Sequence, residues 1–212
     1  MNFEKLIAQK LLQIKAIKLS PQNPFTWASG IKSPIYCDNR VTLSYPDIRS
    51  EIKKGFAELA EQFGDFDAVS GVATAGIAHG ALLAEHLGLP FSYVRSSAKA
   101  HGRQNQIEGE IAQGAKILVV EDLISTGGSS IDAVKVLQDA GYEVVAVVAI
   151  FTYQFQKAKD NFASINCKFG TISNYSAMLK EAKELDYISE KEESILQKWS
   201  SDPSGWYNAN FS

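Results

Sequence analysis

The chain has 212 residues, is 45% hydrophobic and carries a formal net charge of -3. This length and hydrophobic content suit one sizeable core, so we expect a single domain over residues 1–212. An acidic chain lacks the positive charge typical of proteins that bind nucleic acids or membrane surfaces. No apolar run approaches the roughly 18 residues of a membrane-spanning helix, and the first residues lack the order of a secretory signal. The composition therefore predicts a cytoplasmic protein that binds neither nucleic acid nor membrane.

The N-terminal region begins with apolar residues at near-helical spacing, from Phe3 to Ile17, and two prolines close the segment. This pattern predicts an amphipathic helix. The next stretch, from Phe25 to Tyr36, mixes aromatic and β-branched residues with turn-forming pairs, which indicates short strands and turns. We call the part of residues 1–45 that follows the helix the hood, and we expect it to cover a binding site.

Helices and strands alternate through the middle of the chain. A helix is predicted over about 46–63, after which apolar stretches over 66–72, 91–94, 117–120 and 144–151 alternate with helical runs over 77–87 and 129–140. Such alternation is typical of a parallel, doubly wound sheet, so the predicted fold class is α/β with a core sheet over residues 64–155. After Phe151 the pattern changes to shorter helices and a tail, over residues 156–212.

The stretch from Ile117 to Ser129 carries the strongest functional signal. Its first four residues are apolar, as in a buried parallel strand, and Glu121 and Asp122 follow them directly. Open α/β sheets bind ligands at the carboxyl ends of such strands. The next residues combine two glycines, hydroxyl donors and a helix start, which favour a bound phosphate: Ser125, Thr126, Gly127, Gly128 and Ser129.

The acid pair shows that phosphate alone is not the ligand, since like charges repel. Two carboxylates accept hydrogen bonds from vicinal hydroxyls, or hold a divalent cation through its water shell. A ribose 5-phosphate would suit both the acid pair and the loop that follows it, with its hydroxyls at Glu121 and Asp122 and its phosphate in the loop. The alternative is an ordinary strand-to-helix turn with acidic residues at the cap.

Two other segments are weaker candidates. The small-residue turn Ala73-Thr74-Ala75-Gly76 joins a predicted strand to a predicted helix, and its amides can approach an anion or simply make a tight connection. The polar segment from Arg95 to Gly109 contains Lys99, His101 and Arg103 and no apolar periodicity. It predicts a flexible cationic loop, and a loop that only faces water is the alternative.

Histidines, cysteines and tryptophans give no further site. His79 and His86 lie seven residues apart on a predicted helix without an acidic or cysteine partner at that spacing, so we expect core or surface positions. Cys37 and Cys167 are far apart and predict reduced, structural thiols. The tryptophans are predicted to pack rather than to stack on bases: Trp27, Trp199 and Trp206.

Four stretches together carry a family resemblance. Residues 117–129 resemble the phosphoribosyl-pyrophosphate binding motif of the type I phosphoribosyltransferases. Three more stretches narrow the likeness to the orotate phosphoribosyltransferases of the short bacterial kind: FTWASGIKSPIY at 25–36, GVATAGIA at 71–78, and YVR at 93–95 leading through Lys99 and His101 to Gly109. The resemblance extends from the first helix to about Tyr153.

The resemblance implies a fold, a reaction and partners. The fold is a type I phosphoribosyltransferase domain with a small N-terminal hood. The reaction transfers the 5-phosphoribosyl group from 5-phosphoribosyl 1-diphosphate (PRPP) to orotate, which yields orotidine 5'-phosphate and diphosphate in UMP biosynthesis. Mg2+ is the implied cofactor and is held mainly through PRPP, without direct protein ligands. The implied assembly is a homodimer in which the 95–109 loop reaches the partner's site.

Residue roles follow from the same resemblance. Lys99, His101 and Asp122 are the implied catalytic residues, and Ser125, Lys32 and Arg40 are candidates for orotate. PRPP is implied to contact a larger set: Thr74, Ala75, Arg95, Lys99, His101, Glu121, Asp122, Leu123, Ile124, Ser125, Thr126, Gly127, Gly128 and Ser129. Cations of the 95–109 loop would act where negative charge develops on the leaving diphosphate, and a closed loop would exclude water.

The chain departs from the enterobacterial type at several positions. That type carries a lysine at the position of Ala75 and basic residues at the positions of Ala28 and Tyr153. Some relatives also carry a lysine at the position of Ser96. Two alternatives remain: a phosphoribosyltransferase for a purine or uracil, which would lack the hood sequence, and a regulator that senses PRPP without catalysis. The second would bring a DNA-binding module and a basic face, which this acidic chain lacks.

Overall fold

A six-stranded sheet forms the centre of the computed structural model, which describes residues 2–27, 30–97 and 106–211. Its strands, in spatial order, are Phe169–Asn174 (β10), Glu143–Thr152 (β9), Lys116–Ile124 (β8), Ala68–Val72 (β5), Phe91–Val94 (β6) and Ile107–Glu108 (β7). The first five run parallel, and β7 pairs with β6 in the antiparallel sense. The predicted α/β fold with a mainly parallel sheet is confirmed.

Helices cover both faces of this sheet. Their bounds are Phe3–Gln13 (α1), Pro46–Ala60 (α2), Ala75–Leu87 (α3), Gly128–Asp139 (α4), Gln156–Ser164 (α5), Tyr175–Glu184 (α6), Glu190–Ser201 (α7) and Trp206–Phe211 (α8). Short 3-10 helices span Asn39–Ser44 and Glu61–Phe63. On β8, Leu118 and Val120 face the core that contains α1, α2 and α3, whereas Ile117 and Val119 face the core that contains α4 and α5. Because both faces are buried, the strand is an unbroken apolar run.

The hood consists of two antiparallel strand pairs and the first 3-10 helix. Ile17–Leu19 (β1) pairs with Ile35–Cys37 (β4), and Phe25–Thr26 (β2) pairs with Lys32–Ser33 (β3). Short strands and turns were predicted here and are confirmed.

Two sequence predictions about the ends of the chain are wrong. The N-terminal helix ends at Gln13 and does not include Ile17, because Lys15 takes a left-handed conformation with φ 59° and Ile17 begins β1. The C-terminal region is not only helical, since β10 extends the sheet at its edge beside β9. Its sequence, FGTISN, has a glycine and polar residues instead of an apolar run, which is why the pattern did not reveal a strand.

Candidate active site

The chain reverses its direction of winding between β5 and β8. From β5 it proceeds through α3 to β6 on one side, and from β8 through α4 to β9 on the other. Apolar residues of α3 and α4 belong to the cores on opposite faces of the sheet. Such a switch point opens a crevice at the carboxyl ends of the two strands, where open α/β folds bind ligands.

Glu121 and Asp122 lie at this crevice. The sequence placed them after the strand, but β8 continues to Ile124, so both belong to it. Pairing between β5 and β8 ends at Gly71 and Val120, whereas β9 continues alongside β8 to Ile124. The two acids therefore lie where β8 extends beyond its neighbour β5.

The Glu121 carboxylate is buried and accepts three hydrogen bonds. Its side chain is 5% exposed, its Oε1 accepts from the Asp122 backbone N–H at 2.9 Å, and its Oε2 accepts from the hydroxyls of Ser129 at 3.2 Å and Ser130 at 3.5 Å. Burial, and then the charge of Asp122, raise the pKa of Glu121, and burial also raises the pKa of Asp122. In the absence of ligand the pair favours one negative charge over two.

The predicted phosphate loop follows β8 and leads into α4. No side chain caps the α4 N-terminus, so its first backbone N–H groups are available to an anion. Gly127 has φ +82°, and a Cβ at this position would lie 2.7 Å from Cε2 of Phe162. Asn161 Nδ2 donates to the Thr126 carbonyl at 2.9 Å and holds the loop from α5. Both backbone conformation and space thus require glycine at position 127.

The second turn lies at the start of α3. The peptide bond between Ala73 and Thr74 is cis, Thr74 is exposed, and its side chain makes no capping hydrogen bond. Gly76 lies against β8, where a Cβ would overlap the carbonyl oxygen of Val120. The two turns that the sequence nominated for anions therefore follow adjacent strands, and Ala73 of one and Gly128 of the other line the same cavity.

An apolar cavity of about 200 Å³ opens between the hood and the end of β8. It is lined by Trp27, Tyr36, Cys37, Leu123, Ser125 and Tyr153. Trp27 was predicted only to pack, but it also borders this cavity, with its ring 5.2 Å from that of Tyr153. Buried Trp199 of α7 contacts the Tyr153 ring from another side, at 5.6 Å. Three aromatic side chains line the cavity, which suits a planar, largely apolar ring.

A second cavity, of about 340 Å³, lies between the ends of β5 and β6 and the start of α4. Its lining includes Ala73, Arg95, Gly128 and Ser129, together with Asp132, which the sequence did not single out. Arg95 is also 3.5 Å from the Glu108 carboxylate. Three predicted PRPP residues therefore surround one cavity. Lys99 and His101 lie outside the described residues.

Several predicted residues lie elsewhere. Ile124 is fully buried in the core, so only its backbone borders the loop. Lys32 Nζ donates to Thr26 Oγ1 at 2.7 Å and lies over the Tyr207 ring, and Arg40 pairs with Asp38 at 2.6 Å. Neither cation is among the described residues that line the apolar cavity. His79 is buried and His86 is exposed.

The sequence missed Tyr36, Cys37 and Tyr153 as cavity-lining residues. Their positions depend on how the hood folds over β8 and β9, which involves contacts between distant parts of the chain. Tyr36 and Cys37 were within a segment recognised as the hood, so the only available signal was that segment's aromatic content.

Comparisons with known proteins show the family of this chain. Residues 43–177 match the family model described as phosphoribosyl transferase domain. Proteins named orotate phosphoribosyltransferase include one from Lactococcus lactis subsp. cremoris, 52% identical over 97% of this chain and 99% of its own length. Another, from Staphylococcus haemolyticus, is 56% identical over 92% of this chain and 97% of its own. The chain belongs to the orotate phosphoribosyltransferase family.

A solved structure shows the same architecture in that family. Orotate phosphoribosyltransferase from Aeropyrum pernix superposes with a TM-score of 0.75 at 27% identity, covering 86% of this chain and 99% of the other. Within residues 2–27, 30–97 and 106–211, no helix is long and apolar enough to cross a membrane. In the same part of the chain, no three histidine, cysteine or acidic side chains come together in a way that could hold a metal ion.

Proposed function

We propose that the protein acts in the cytoplasm and transfers the 5-phosphoribosyl group of PRPP to orotate, giving orotidine 5'-phosphate and diphosphate in UMP biosynthesis. The observation that carries this proposal is the aromatic cavity, which borders Ser125 at the start of the phosphate loop. A planar base in the cavity would lie beside a sugar whose phosphate occupies that loop. Membership of the orotate phosphoribosyltransferase family supports the choice of base and donor.

PRPP is proposed to lie across the switch point. Its 5-phosphate would meet the backbone N–H groups of Thr126, Gly127 and Gly128, with the hydroxyls of Ser125 and Ser129 beside them. The ribose hydroxyls would donate to Glu121 and Asp122. Its diphosphate would extend toward the Thr74 and Ala75 turn and toward Arg95, which lines the second cavity.

The proposed chemistry separates charge between two groups of residues. The bond from the anomeric carbon to diphosphate breaks as orotate N1 forms its bond to the same carbon, so the ribose gains oxocarbenium character. Glu121 and Asp122 would stabilise this positive charge, and Arg95, Lys99 and His101 would stabilise the leaving diphosphate. No covalent nucleophile is needed.

The acid pair could help to hold Mg2+, with the remaining ligands supplied by substrate and water. Glu121 and Asp122 are two adjacent carboxyl groups, and among the described residues no third ligand joins them. Two carboxylates with substrate phosphates and waters are a usual environment for Mg2+. When bound, the ion would neutralise diphosphate charge, and the acid pair would hold it through water or through the ribose hydroxyls.

The carboxylate of orotate needs a cation or N–H donors. Lys32 and Arg40 remain our candidates, although Lys32 is held by Thr26 and Arg40 by Asp38 in this structure. To reach the base, either side chain would have to exchange its present partner for the substrate. Ser125 already borders the cavity and needs no such change.

Steady-state assays with PRPP, Mg2+ and each of orotate, uracil, hypoxanthine and adenine test the proposal. Release of diphosphate that depends on orotate is the expected result. Turnover with another base would overturn the substrate assignment. Binding of PRPP without turnover of any base would favour a sensor.

The active unit is proposed to be a homodimer in which the loop that carries Lys99 completes the partner's site. Mixing inactive Lys99→Ala and Asp122→Asn subunits tests this, because a mixed dimer has one site with both residues intact. We expect activity to return to roughly a quarter of wild type, since half of the dimers are mixed and each has one working site. Lack of recovery, with subunit exchange confirmed by mass spectrometry, would rule out a shared site.

A further inference from the structure

A buried series of polar side chains connects α3, the hood and the acid-bearing strand. It consists of His79 on α3, Thr42 and Asn39 in the 3-10 helix of the hood, and the backbone of Asp122 on β8. Asn39 and Thr42 are 0% exposed and His79 is 2% exposed. None of the three side chains was assigned a function by the sequence or by the proposed reaction.

The direction of each hydrogen bond can be worked out from its donors. Thr42 Oγ1 donates its one proton to the backbone carbonyl of Asn39 at 2.6 Å. The same oxygen must therefore accept a hydrogen bond from His79 Nε2, which is 3.3 Å away. Burial, with the charge of Arg49, lowers the pKa of His79 to about 4. His79 is therefore neutral at pH 7, with its proton on Nε2.

Asn39 makes the contact with the active site. Its Nδ2 donates to the Asp122 carbonyl at 2.7 Å, and its Oδ1 accepts from the Cys37 thiol at 3.3 Å. Strand β5 no longer pairs with β8 at this level, since its last partner is Val120. The hood thus supplies a hydrogen bond to β8 at the residue proposed to hold the ribose.

The other end of the series is His79 on α3, the helix that begins at the turn over residues 73–76. His79 is one helical turn beyond Gly76, whose backbone lies against the carbonyl of Val120. The series therefore connects the three parts that a bisubstrate site must align. These are the acid pair, the start of α3, and the hood wall that includes Cys37.

We propose that Asn39, Thr42 and His79 are positioning residues that fix the Asp122 backbone relative to α3 and the hood, and so set the rate of phosphoribosyl transfer. This inference rests on the proposed function. None of the three is proposed to touch substrate. They act by holding Asp122 in the geometry that the transition state requires.

The test compares two substitutions at one position. Thr42→Val keeps the shape of the side chain and removes its hydroxyl, whereas Thr42→Ser keeps the hydroxyl. Because a misplacement of about 1 Å can cost on the order of 100-fold in rate, we expect Thr42→Val to lower kcat roughly 10- to 100-fold. KM for PRPP should change less than about threefold, and Thr42→Ser should restore most of the rate.

Ser173→Ala is the matched control. Ser173 is also 0% exposed and donates to a backbone carbonyl, that of Glu4 at 2.9 Å, but it lies on β10 at the edge of the sheet. A network that served stability alone would make Thr42→Val and Ser173→Ala alike, with lower melting temperatures and unchanged kcat. That result would overturn the inference.

Variants at the two ends extend the test. Asn39→Ala and His79→Phe should each lower kcat, and the double variant should lose little more than the worse single one, since they interrupt one series. His79→Gln retains a side-chain N–H and should keep more activity than His79→Phe, which also provides a test should Thr42→Val fail to fold. Additive losses in the double variant would argue against a shared role.

Failure of this inference is distinguishable from failure of the proposed function. If the wild-type protein does not turn over orotate, the proposed function is wrong. If the wild-type protein turns over orotate and the Thr42→Val variant keeps full kcat, only the positioning role is wrong.

Discussion

The ionised form of the Glu121 carboxyl conflicts with its surroundings. The side chain is 5% exposed, lies next to Asp122, and receives hydrogen bonds from two serine hydroxyls and a backbone N–H. A ribose that donates hydroxyl hydrogen bonds, or a cation held nearby, would favour the ionised form. If ribose or a cation binds here as proposed, the ligand would offset a negative charge that burial of Glu121 disfavours.

Glu121→Gln should stabilise the ligand-free protein at high pH. Because the folded-state pKa of Glu121 is raised, its contribution to stability is fully present below the ordinary glutamate pKa of about 4.3. The contribution is lost as pH rises through the raised pKa, so the variant should gain melting temperature over wild type in that direction. Each kcal/mol corresponds to about 2–4 °C in a chain of this size, and we expect a gain of at least that much.

Thermal melts from pH 4 to 9 would measure this difference. Glu181→Gln is the control, since Glu181 is equally buried but lies 3.4 Å from Lys5 and should not gain stability when neutralised. A Glu121→Gln curve parallel to wild type across the whole range would contradict the prediction.

Lys99→Ala should lower turnover far more than it weakens orotate binding. The lysine is proposed to act on charge that develops on the leaving diphosphate, which is absent from the ground state with orotate. We expect kcat to fall at least about 100-fold, the usual effect of removing one transition-state donor, with the orotate dissociation constant within a few fold of wild type. Unchanged turnover would exclude Lys99 from the reaction.

Among the elements, the β8, loop and α4 unit was the most predictable from sequence. Its apolar run, acids and glycines are contiguous, so local chemistry determines both structure and role. Strand β10 was missed because FGTISN has no apolar run, and the end of α1 was missed because a left-handed Lys15 leaves no signature. The aromatic cavity was not predictable, since Trp27 and Tyr153 meet only when the hood folds onto the sheet.

Gly127→Ala should damage the phosphate loop in two ways. A left-handed alanine costs about 1–2 kcal/mol. The new Cβ would also lie only 2.7 Å from Phe162 Cε2 and would displace that ring. We expect a lower melting temperature and a rise of roughly tenfold or more in KM for PRPP, because about 1.4 kcal/mol lost from phosphate binding is a factor of 10.

Gly141→Ala is the control that separates the general cost of a left-handed alanine from damage to the phosphate loop. Gly141 has φ +87° and so incurs the same backbone cost, but its Cβ would meet only the flexible side chain of Gln113, at the far end of α4. Melting curves and steady-state kinetics of both variants would show whether KM responds to the loop alone. An equal rise in KM for the two would contradict a specific role for Gly127.

At the scale of the whole molecule, helix α7 near the C-terminus packs against two residues that line the aromatic cavity, Trp27 of the N-terminal hood and Tyr153. Trp199 of α7 is fully buried, and its ring lies 5.7 Å from Trp27, 5.6 Å from Tyr153 and 5.4 Å from Phe155. Replacement of a buried tryptophan by alanine costs about 3–5 kcal/mol. The packing of α7 and the wall of the aromatic cavity therefore depend on one aromatic cluster.

Trp199→Ala should raise KM for orotate more than KM for PRPP. Loss of the ring would let Tyr153 and Trp27 shift, and both line the aromatic cavity. The phosphate loop and the acid pair are held by other contacts, among them those of Ser129 with Glu121 and of Asn161 with Thr126. Kinetics at a temperature well below the lowered melting point would measure the two constants. Equal changes in both would show that the cluster supports the whole site without preference.

The contact of Gly76 with the Val120 carbonyl joins the start of α3 to β8 through main-chain atoms. A Cβ at position 76 would overlap that carbonyl oxygen, so any larger residue would force the helix start and the strand apart. If the two turns hold the 5-phosphate and the diphosphate as proposed, this main-chain contact would help to define the distance between them. Donors whose sugar is longer or shorter than ribose would then fit the two turns less well, even where the surrounding side chains are unchanged.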